Sequence, residues 1–380
     1  MGRRDDHVLR GCAAPRARRV ASRDGRRLVT AAHDVAENDG FGARRFVRQQ
    51  RFAGIGEQGQ ARIERARVLV VGCGALGGAL AQSLHRAGVG ELVLVDRDVV
   101  DESNLPRQVL FDESHARARV PKVLAARETL AKSGGPTRLE CLVAHLDAAL
   151  LMKLLRRVDL VLDGTDNLAT RYVVNDGCVK SGKPWIHGGV VGANGLAMAI
   201  VPGGACLRCL FPEPPPAGAL ETCESAGVVQ PAVAAVAALQ AGLALRLIAR
   251  PEEAAAVGGR LVEIDVWSAH ARSLVLARDP ECPCCGRREF PFLVDSLART
   301  PQILCGRNTV EVPASGSGVD LAALATRLSS NGELDVRHEH DLLRTTVDGL
   351  TLTVFADGRA LVEGTEDVAL AKGLCDRLLA

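Results

Sequence analysis

A surplus of charge of either sign is what this 380-residue sequence most clearly lacks: 47 Lys plus Arg stand against 45 Asp plus Glu, a net charge of +2. A general nucleic-acid binder would show a basic excess on one domain, so that class is set aside. Aromatic residues are scarce, at 3%, while glycine reaches 39 residues, in a composition otherwise that of a globular protein. No run of about 18 or more residues is apolar and free of charges or helix breakers in a membrane-like pattern. The most apolar segment, Ala232–Ile248, is Ala-rich, lies between Pro231 and Arg250, and reads as a buried helix. A signal-peptide pattern is also missing. Against these absences, 12 cysteines point to metal or thiol chemistry in a reducing compartment, and a cytoplasmic location is expected. The length suits two or three domains.

The stretch Arg67–Gln108 organises the chain. The β-formers Val68–Val71 end in Gly72-Cys73-Gly74-Ala75-Leu76-Gly77; a helix-period segment follows, and a second apolar strand, Leu92–Val95, ends at Asp96. Glycines allow a tight turn and close approach of backbone to a phosphate, and the helix N-terminus offers unpaired N–H groups. An acid about 20 residues further on can accept hydrogen bonds from ribose hydroxyls. This much says "nucleotide". Ser103-Asn104-Leu105-Pro106-Arg107-Gln108, followed by Lys122 on a new helix, says more. A dehydrogenase needs an open slot for nicotinamide there; cations suit a triphosphate whose charge is neutralised during transfer.

Residues 1–42, rich in arginine, read as a disordered extension. A short helix at Arg44–Gly59 would carry Arg44, Arg45, Arg48 and Arg51 on a basic face. Beyond the organising unit, helices are expected over Val120–Lys132, Leu150–Arg157 and Leu168–Val179, and strands over Leu139–His145, Leu160–Asp163, Pro184–Val191 and Leu196–Val201. This alternation indicates a doubly wound α/β sheet. The strand ending at Asp163 runs into Gly164-Thr165-Asp166-Asn167, on the edge where ligands bind in such sheets. Asp166 can hold Mg²⁺ through a hard oxygen, or it can cap the following helix.

Cys206-Leu207-Arg208-Cys209 and Cys282-Pro283-Cys284-Cys285 make two C-x2-C pairs. Four thiolates on two tight turns fit a closed, structural tetrahedral Zn²⁺ site; the alternative is a set of reduced, buried cysteines. Cys284 competes as a ligand, but only Cys282 and Cys285 repeat the spacing of Cys206 and Cys209. An antiparallel pair, Leu261–Trp267 and Ser273–Ala277, precedes the second knuckle. Residues 291–304 read as a linker. Residues 305–380 read as a small α+β module, with strands at Thr309–Val312, Leu334–Arg337, Leu342–Val347, Leu350–Phe355 and Ala360–Glu363 and helices at Asp320–Leu328 and Asp367–Leu379. Cys375 belongs to its core.

Together, the Arg48-Gln49 segment, GCGALG with Asp96, SNLPRQ, DGTDN and the paired knuckles resemble the ThiF/MoeB family of adenylyltransferases, bacterial relatives of ubiquitin-activating enzymes, over residues 43–290. The resemblance implies a Rossmann-like, doubly wound mixed sheet with a structural zinc site. It also implies that ATP activates the C-terminal Gly-Gly carboxylate of a ubiquitin-like sulfur carrier of the ThiS or MoaD type, releasing pyrophosphate. Gly72, Gly74, Ala75 and Gly77 would then cradle the nucleotide and Asp96 would take the ribose. Ser103, Asn104, Arg107 and Lys122 would hold phosphates, Asp166 and Asn167 would organise Mg²⁺ and ATP, and Arg48 would reach a partner's ATP in a homodimer. Cys206, Cys209, Cys282 and Cys285 match the family zinc site, and Cys223 the crossover-loop cysteine, whose thiol either joins in sulfur transfer or is dispensable. The chain departs from the family at Ala75, where Gly is frequent, at Gln230, and in a two-residue insertion before Lys122. The tail resembles that of longer thiazole-biosynthesis members, which leans the pathway to thiamin over molybdopterin. No rhodanese-type cysteine loop is found.

No general base is expected, because the attacking carboxylate is already ionised at neutral pH. Arg48, Arg107, Lys122 and Mg²⁺ at Asp166 would offset its repulsion from ATP. Two other classes remain in view. An NAD-dependent oxidoreductase uses GxGxxG and Asp96 but leaves SNLPRQ, DGTDN and the cysteines idle, and a silent carrier-binding scaffold leaves the charged set idle.

Overall fold

A computed structural model of the chain describes residues 29–30, 44–215, 225–294, 302–304, 308–314, 318–330, 334–339 and 342–379. In chain order, the first part runs β1 (Val29–Thr30), α1 (Val47–Arg51), α2 (Gly56–Ile63), β2 (Arg67–Val71), α3 (Ala75–Ala87), β3 (Glu91–Asp96), α4 (Glu113–Ala118), α5 (Lys122–Lys132), β4 (Arg138–Val143), α6 (Ala148–Leu155), β5 (Leu160–Asp163) and α7 (Leu168–Ser181). It continues through β6 (Trp185–Val191), β7 (Asn194–Ile200), α8 (Leu207–Leu210), α9 (Gln230–Ala249), α10 (Ala254–Val257), β8 (Arg260–Asp265) and β9 (His270–Val275). These strands form one nine-stranded sheet in the order β1-β4-β3-β2-β5-β6-β7-β8-β9. β2 pairs in parallel with both β3 and β5, whereas β6 to β9 pair antiparallel. The expected mixed, Rossmann-like sheet is therefore present. Two residues of the arginine-rich extension take part in it: Val29 and Thr30 pair with Cys141 and Glu140 on the edge of β4.

The strands in the parallel half are buried on both faces, and this is why they read as unbroken apolar runs. Val68, Leu69, Val70 and Val71 of β2 are at most 2% exposed. One face packs against α3, α5 and α9 through Leu76, Leu80, Leu84, Val233, Val236 and Ala241. The opposite face packs against α6, α7 and both cysteine knuckles through Leu151, Leu154, Val174, Trp185 and Ile200. Among the described residues α9 alone is long and apolar enough to cross a membrane; half of its most apolar stretch is buried in this core.

A second sheet of six antiparallel strands follows, ordered β10 (Gln302–Leu304), β11 (Thr309–Val312), β15 (Ala360–Glu363), β14 (Leu350–Phe355), β13 (Leu342–Val347) and β12 (Arg337–Glu339). Helices α11 (Leu321–Ser329) and α12 (Val368–Leu379) pack on it, with Cys375 in their shared core. Two expectations need adjusting. The end of the expected linker supplies a strand, since Gln302–Leu304 pairs with β11. The strand expected at Leu334–Arg337 lies instead at Arg337–Glu339. Leu334 and Val336 pack against the α11 core as irregular chain, and the ladder with β13 begins only at Arg337.

This module touches the segment that follows β3. Val99 and Val143 pack with Leu342, Phe355 and Leu361. Arg97 pairs with Glu311 at 2.5 Å, Arg359 donates to the Arg97 carbonyl at 2.7 Å, and Arg119 pairs with Glu363.

Candidate nucleotide site and cysteine centre

Three glycines set the turn at the end of β2. Gly72 has φ +81°, and a Cβ there would lie 2.7 Å from the Gly164 carbonyl oxygen. A Cβ on Gly77 would meet the Gly72 oxygen at 1.9 Å, and one on Gly164 would meet the Gly77 Cα at 2.6 Å. The end of β5 and the start of α3 thus interlock through backbone alone. Gly74 is different: its nearest neighbour would be Gln108 Nε2 at 3.6 Å, so the missing side chain there leaves room. Gly74 is the N-cap of α3 and no side chain caps the helix, whose first N–H groups stay available to an anion. Ala75 is the first residue of that helix.

Asp96 ends β3. Its Oδ2 accepts from Cys73 N at 2.6 Å and its Oδ1 from Asp98 N at 2.7 Å, so the acid also braces the glycine turn. Burial, helped by the nearby Asp98 charge, leaves its carboxyl raised against the pull of Lys122 and the two N–H donors. Lys122, at the start of α5, is 4% exposed and its Nζ lies 2.9 Å from Asp98 Oδ2. Asp98 is a residue the sequence reading missed. Asn104 is 1% exposed; its Oδ1 accepts from Asp101 N at 3.1 Å, while its Nδ2 is buried without a partner. Gln108 Oε1 is likewise buried and unpaired. Buried polar atoms are rarely left so, and both orphans suit a polar ligand above the turn. Arg107 folds back, its Nη1 donating to the Ser103 carbonyl at 2.6 Å; Ser103 itself is exposed.

At the end of β5 the acids divide their work. Asn167, not Asp166, caps α7, accepting from Thr170 N at 3.2 Å. Asp166 is exposed on the turn. Beneath it lies Asp163, which the sequence reading treated only as a strand end. Its Oδ2 is 3.0 Å from Arg171 Nε and 2.7 Å from His187 Nδ1, and its Oδ1 accepts from Thr165 N at 2.9 Å. Burial would raise this carboxyl, but the Arg171 guanidinium and the His187 and Thr165 hydrogen bonds prevail and hold it at about 2. Burial also keeps His187 below its ordinary value. Arg171 donates on to the carbonyls of Thr165 and Gly188, and Gln240 of α9 donates to that of Asp163. Four elements therefore lock the turn that presents Asp166.

Arg48 is exposed on α1. Its neighbour Gln49 bonds Gln60 Oε1 at 2.6 Å and the Ala87 carbonyl at 2.9 Å, fastening α1 to the far end of α3. The 13 residues of α3 put that end about 20 Å from the glycine turn. Cys223 lies outside the described residues.

The two knuckles do meet. Cys206 is the N-cap of α8; its Sγ is 3.6 Å from Cys282 Sγ, and Cys209 Sγ is 3.4 Å from Cys285 Sγ. All four sulfurs lie within 4.8 Å of one another. Zn–S bonds of about 2.3 Å in a tetrahedron place sulfurs roughly 3.8 Å apart, so the cluster fits that ion. Hydrogen bonds from Cys284 and Cys282 draw Cys206 down to about 4, while burial holds Cys282 and Cys285 up. Four thiols this close cannot all ionise without a cation between them. Cys284 stands outside the four, its sulfur 3.2 Å from Asn175 Nδ2. Asn175 Oδ1 also accepts from Leu207 N, tying α7 to the first knuckle.

An open glycine turn, flanking cations and orphaned amides on a doubly wound sheet define a nucleotide-binding α/β protein, and the four-cysteine cluster behind them has the donor set and spacing that a tetrahedral metal ion fits. The ThiF family model matches residues 46–284, and the chain belongs to the ThiF family. It is 40% identical over 335 residues to the sulfur carrier protein ThiS adenylyltransferase of Bacillus subtilis (strain 168), covering 87% of this chain and 97% of that one. It is 39% identical over 251 residues to the sulfur carrier protein adenylyltransferase of Thermus thermophilus, covering 64% and 90%. With the adenylyltransferase and sulfurtransferase MOCS3 of Bos taurus it shares 41% identity over 251 residues, about half (53%) of that protein. Among solved structures, the E. coli protein MccB superposes with a TM-score of 0.57 at 23% identity over 66% of this chain and 75% of that one, a likeness of fold.

Proposed function

We propose that this protein uses ATP to adenylate the C-terminal Gly-Gly carboxylate of a small ubiquitin-like sulfur-carrier protein, releasing pyrophosphate. The observation that carries the reading is the 40% identity to a ThiS adenylyltransferase across nearly the whole of both chains. The relatives named above favour neither an oxidoreductase nor a silent scaffold.

The site residues take their roles from position. The bare N–H groups of α3 beyond Gly72, Gly74 and Gly77 receive phosphate, with the Ala75 methyl alongside. Asp96 takes the ribose; one lone pair of each oxygen is already used on backbone, and others remain. Asn104 Nδ2 is free to donate to a phosphate oxygen, and Ser103 lies at the mouth. Arg107 and Lys122 would leave the Ser103 carbonyl and Asp98 to neutralise the charge that builds as the carrier carboxylate attacks the α-phosphorus. Asp166, with Asn167 beside it, offers the hard oxygen that suits Mg²⁺, whose chemistry is to screen the triphosphate. Most of the rate then comes from positioning.

α1, which carries Arg48, is fastened at the far end of α3, about 20 Å from its own glycine turn, and this supports a homodimer in which each copy supplies Arg48 to the other. Zn²⁺ in the Cys206, Cys209, Cys282 and Cys285 cluster is assigned a structural role, since four protein ligands leave no open position. Cys223 is assigned to the crossover loop, downstream of adenylation. Residues 43–290 form the adenylation unit, and residues 302–380, the strand Gln302–Leu304 included, form a second module, in a cytoplasmic protein.

ATP–pyrophosphate exchange with candidate carriers ending in Gly-Gly, each run against a copy lacking the last glycine, tests the reading. Exchange that requires one intact tail is expected and would name the thiamin or molybdopterin branch. Tail-independent exchange, or none with any carrier, would overturn it.

A further inference from the structure

A second polar pocket, of about 390 Å³, opens where the C-terminal sheet meets the main body; Arg119, Arg337 and Arg344 line it, together with the acids Asp335 and Glu363. It is separate from the nucleotide turn. Arg337 of β12 and Arg344 of β13 are directly opposed across the antiparallel ladder. Like charges in that position destabilise a sheet. Arg119, the last residue of the α4 turn, comes from the main body and faces the same space.

The acids nearby are spoken for. Arg119 pairs with Glu363 and, at 3.3 Å, with Asp101; Arg337 pairs with Asp335 at 3.2 Å. Arg344 has no acid partner among the described residues. Its Nε reaches only Thr353 Oγ1, at 3.3 Å, and its Nη2 is buried with no partner. Burial, then the charges of Arg119 and Arg337, lower it to about 10. A part-buried guanidinium with no counter-charge among the described residues is costly, and this one faces two more. Thr346 and Thr351, themselves paired across the ladder, add hydroxyls to the wall.

We infer that this pocket binds a small phosphate-type anion, with Arg344 as the central ligand and Arg119 and Arg337 flanking it. A guanidinium presents two parallel N–H donors to such an oxyanion, and three of them give the fork geometry that phosphate favours. The site lies one ion pair from the nucleotide loop. Arg119 holds Asp101, and Asp101 caps the turn that carries Asn104. An anion that draws on Arg119 therefore bears on Asn104. The inference does not depend on which carboxylate, if any, the protein adenylates.

The test is calorimetric titration of the full-length protein with inorganic phosphate, pyrophosphate and AMP in turn. Each is run with the nucleotide site saturated by a non-hydrolysable ATP analogue, at constant ionic strength. The three arms separate free phosphate from diphosphate and from a nucleotide's phosphate. One site per chain is expected for at least one of them, weakened at least tenfold in Arg344→Ala and also in Arg337→Ala. Thermal melts keep the result interpretable. In buffer free of these anions Arg344→Ala should melt no lower than wild type, since it removes a like-charge contact. Phosphate-type anions should raise the wild-type midpoint and leave that of the variant unmoved. No binding by any of the three, or equal binding by wild type and Arg344→Ala, would overturn the assignment.

Discussion

Replacing Asp163 by Asn would keep the shape of the side chain and remove the charge that Arg171 and His187 face. The folded protein holds this carboxyl at about 2, against an ordinary value of 3.8. A depression of that size is worth roughly 2–3 kcal/mol of folding free energy. The variant also strands a mostly buried guanidinium, so the whole loss at neutral pH should reach roughly 3–5 kcal/mol. The sign follows from the direction of the shift. A carboxyl whose value is depressed on folding contributes in full above its unfolded value and loses that contribution as pH falls toward the folded one. The stability gap between wild type and Asp163→Asn should therefore be flat from neutrality down to about pH 5. It should then narrow by about 1 kcal/mol by pH 3. Urea unfolding of both proteins across that range measures the gap, and pyrophosphate exchange at pH 7 reports whether the Asp166 turn has moved. A gap below about 1 kcal/mol at pH 7, or one that is the same at pH 3 as at pH 7, would refute the reasoning.

Asp166→Ala and Arg107→Ala should each lower pyrophosphate exchange by orders of magnitude with unchanged melting, while Cys223→Ala should spare exchange; a fully active Asp166→Ala would remove its metal role. Gly164→Ala, whose new methyl would sit 2.6 Å from the Gly77 Cα, should cost several kcal/mol and lose nucleotide binding together. Gly242→Ala, with nothing within 4 Å in the middle of α9, should instead stabilise by about 0.5–1 kcal/mol by urea titration. Metal analysis after dialysis should find about one Zn²⁺ per chain. Cys206→Ser and Cys282→Ser should lower the melting midpoint rather than the activity of the folded fraction. Metal-free protein that melts like the wild type would contradict the structural role.

Those parts of the molecule whose cause is local were legible in the sequence. Val68–Val71 and Leu160–Asp163 are short apolar runs closed by glycine, and a strand buried on both faces can be little else. Cysteines three apart fall on one turn, so the knuckles could be paired by spacing before their sulfurs were placed. What could not be read depends on elements meeting. Asp163, Arg171, His187 and Gln240 come from β5, α7, β6 and α9, and nothing in the order of the chain announces that they share one hydrogen-bond network. Asp98 emerged as the partner of Lys122 only when the start of α5 was set beside the end of β3. Asp166 and Asn167 are equivalent candidates for a helix cap by residue type. The backbone, with Asn167 extended at φ −109° and ψ 116°, selects between them. The strand Val29–Thr30 has no pattern of its own; the open edge of β4 supplies its partner.

The four-cysteine clip has a consequence for how the protein is made. Cys206 and Cys282 are 76 positions apart in the chain, as are Cys209 and Cys285. At about 5–20 residues per second of synthesis, the first pair waits roughly 4–15 s for its counterpart. During that interval β2 to β6 can already pair in parallel, but α9, which covers one face of them, is still arriving together with β8 and β9. On the proposed reading that the cluster holds Zn²⁺, the first pair of thiols is then open to oxidation or to the wrong metal until the second pair arrives. Supply of metal late in synthesis, rather than the strength of the finished site, would then limit the yield of active protein. Cells starved of zinc should accumulate full-length chain whose nucleotide half has formed and whose clip has not closed.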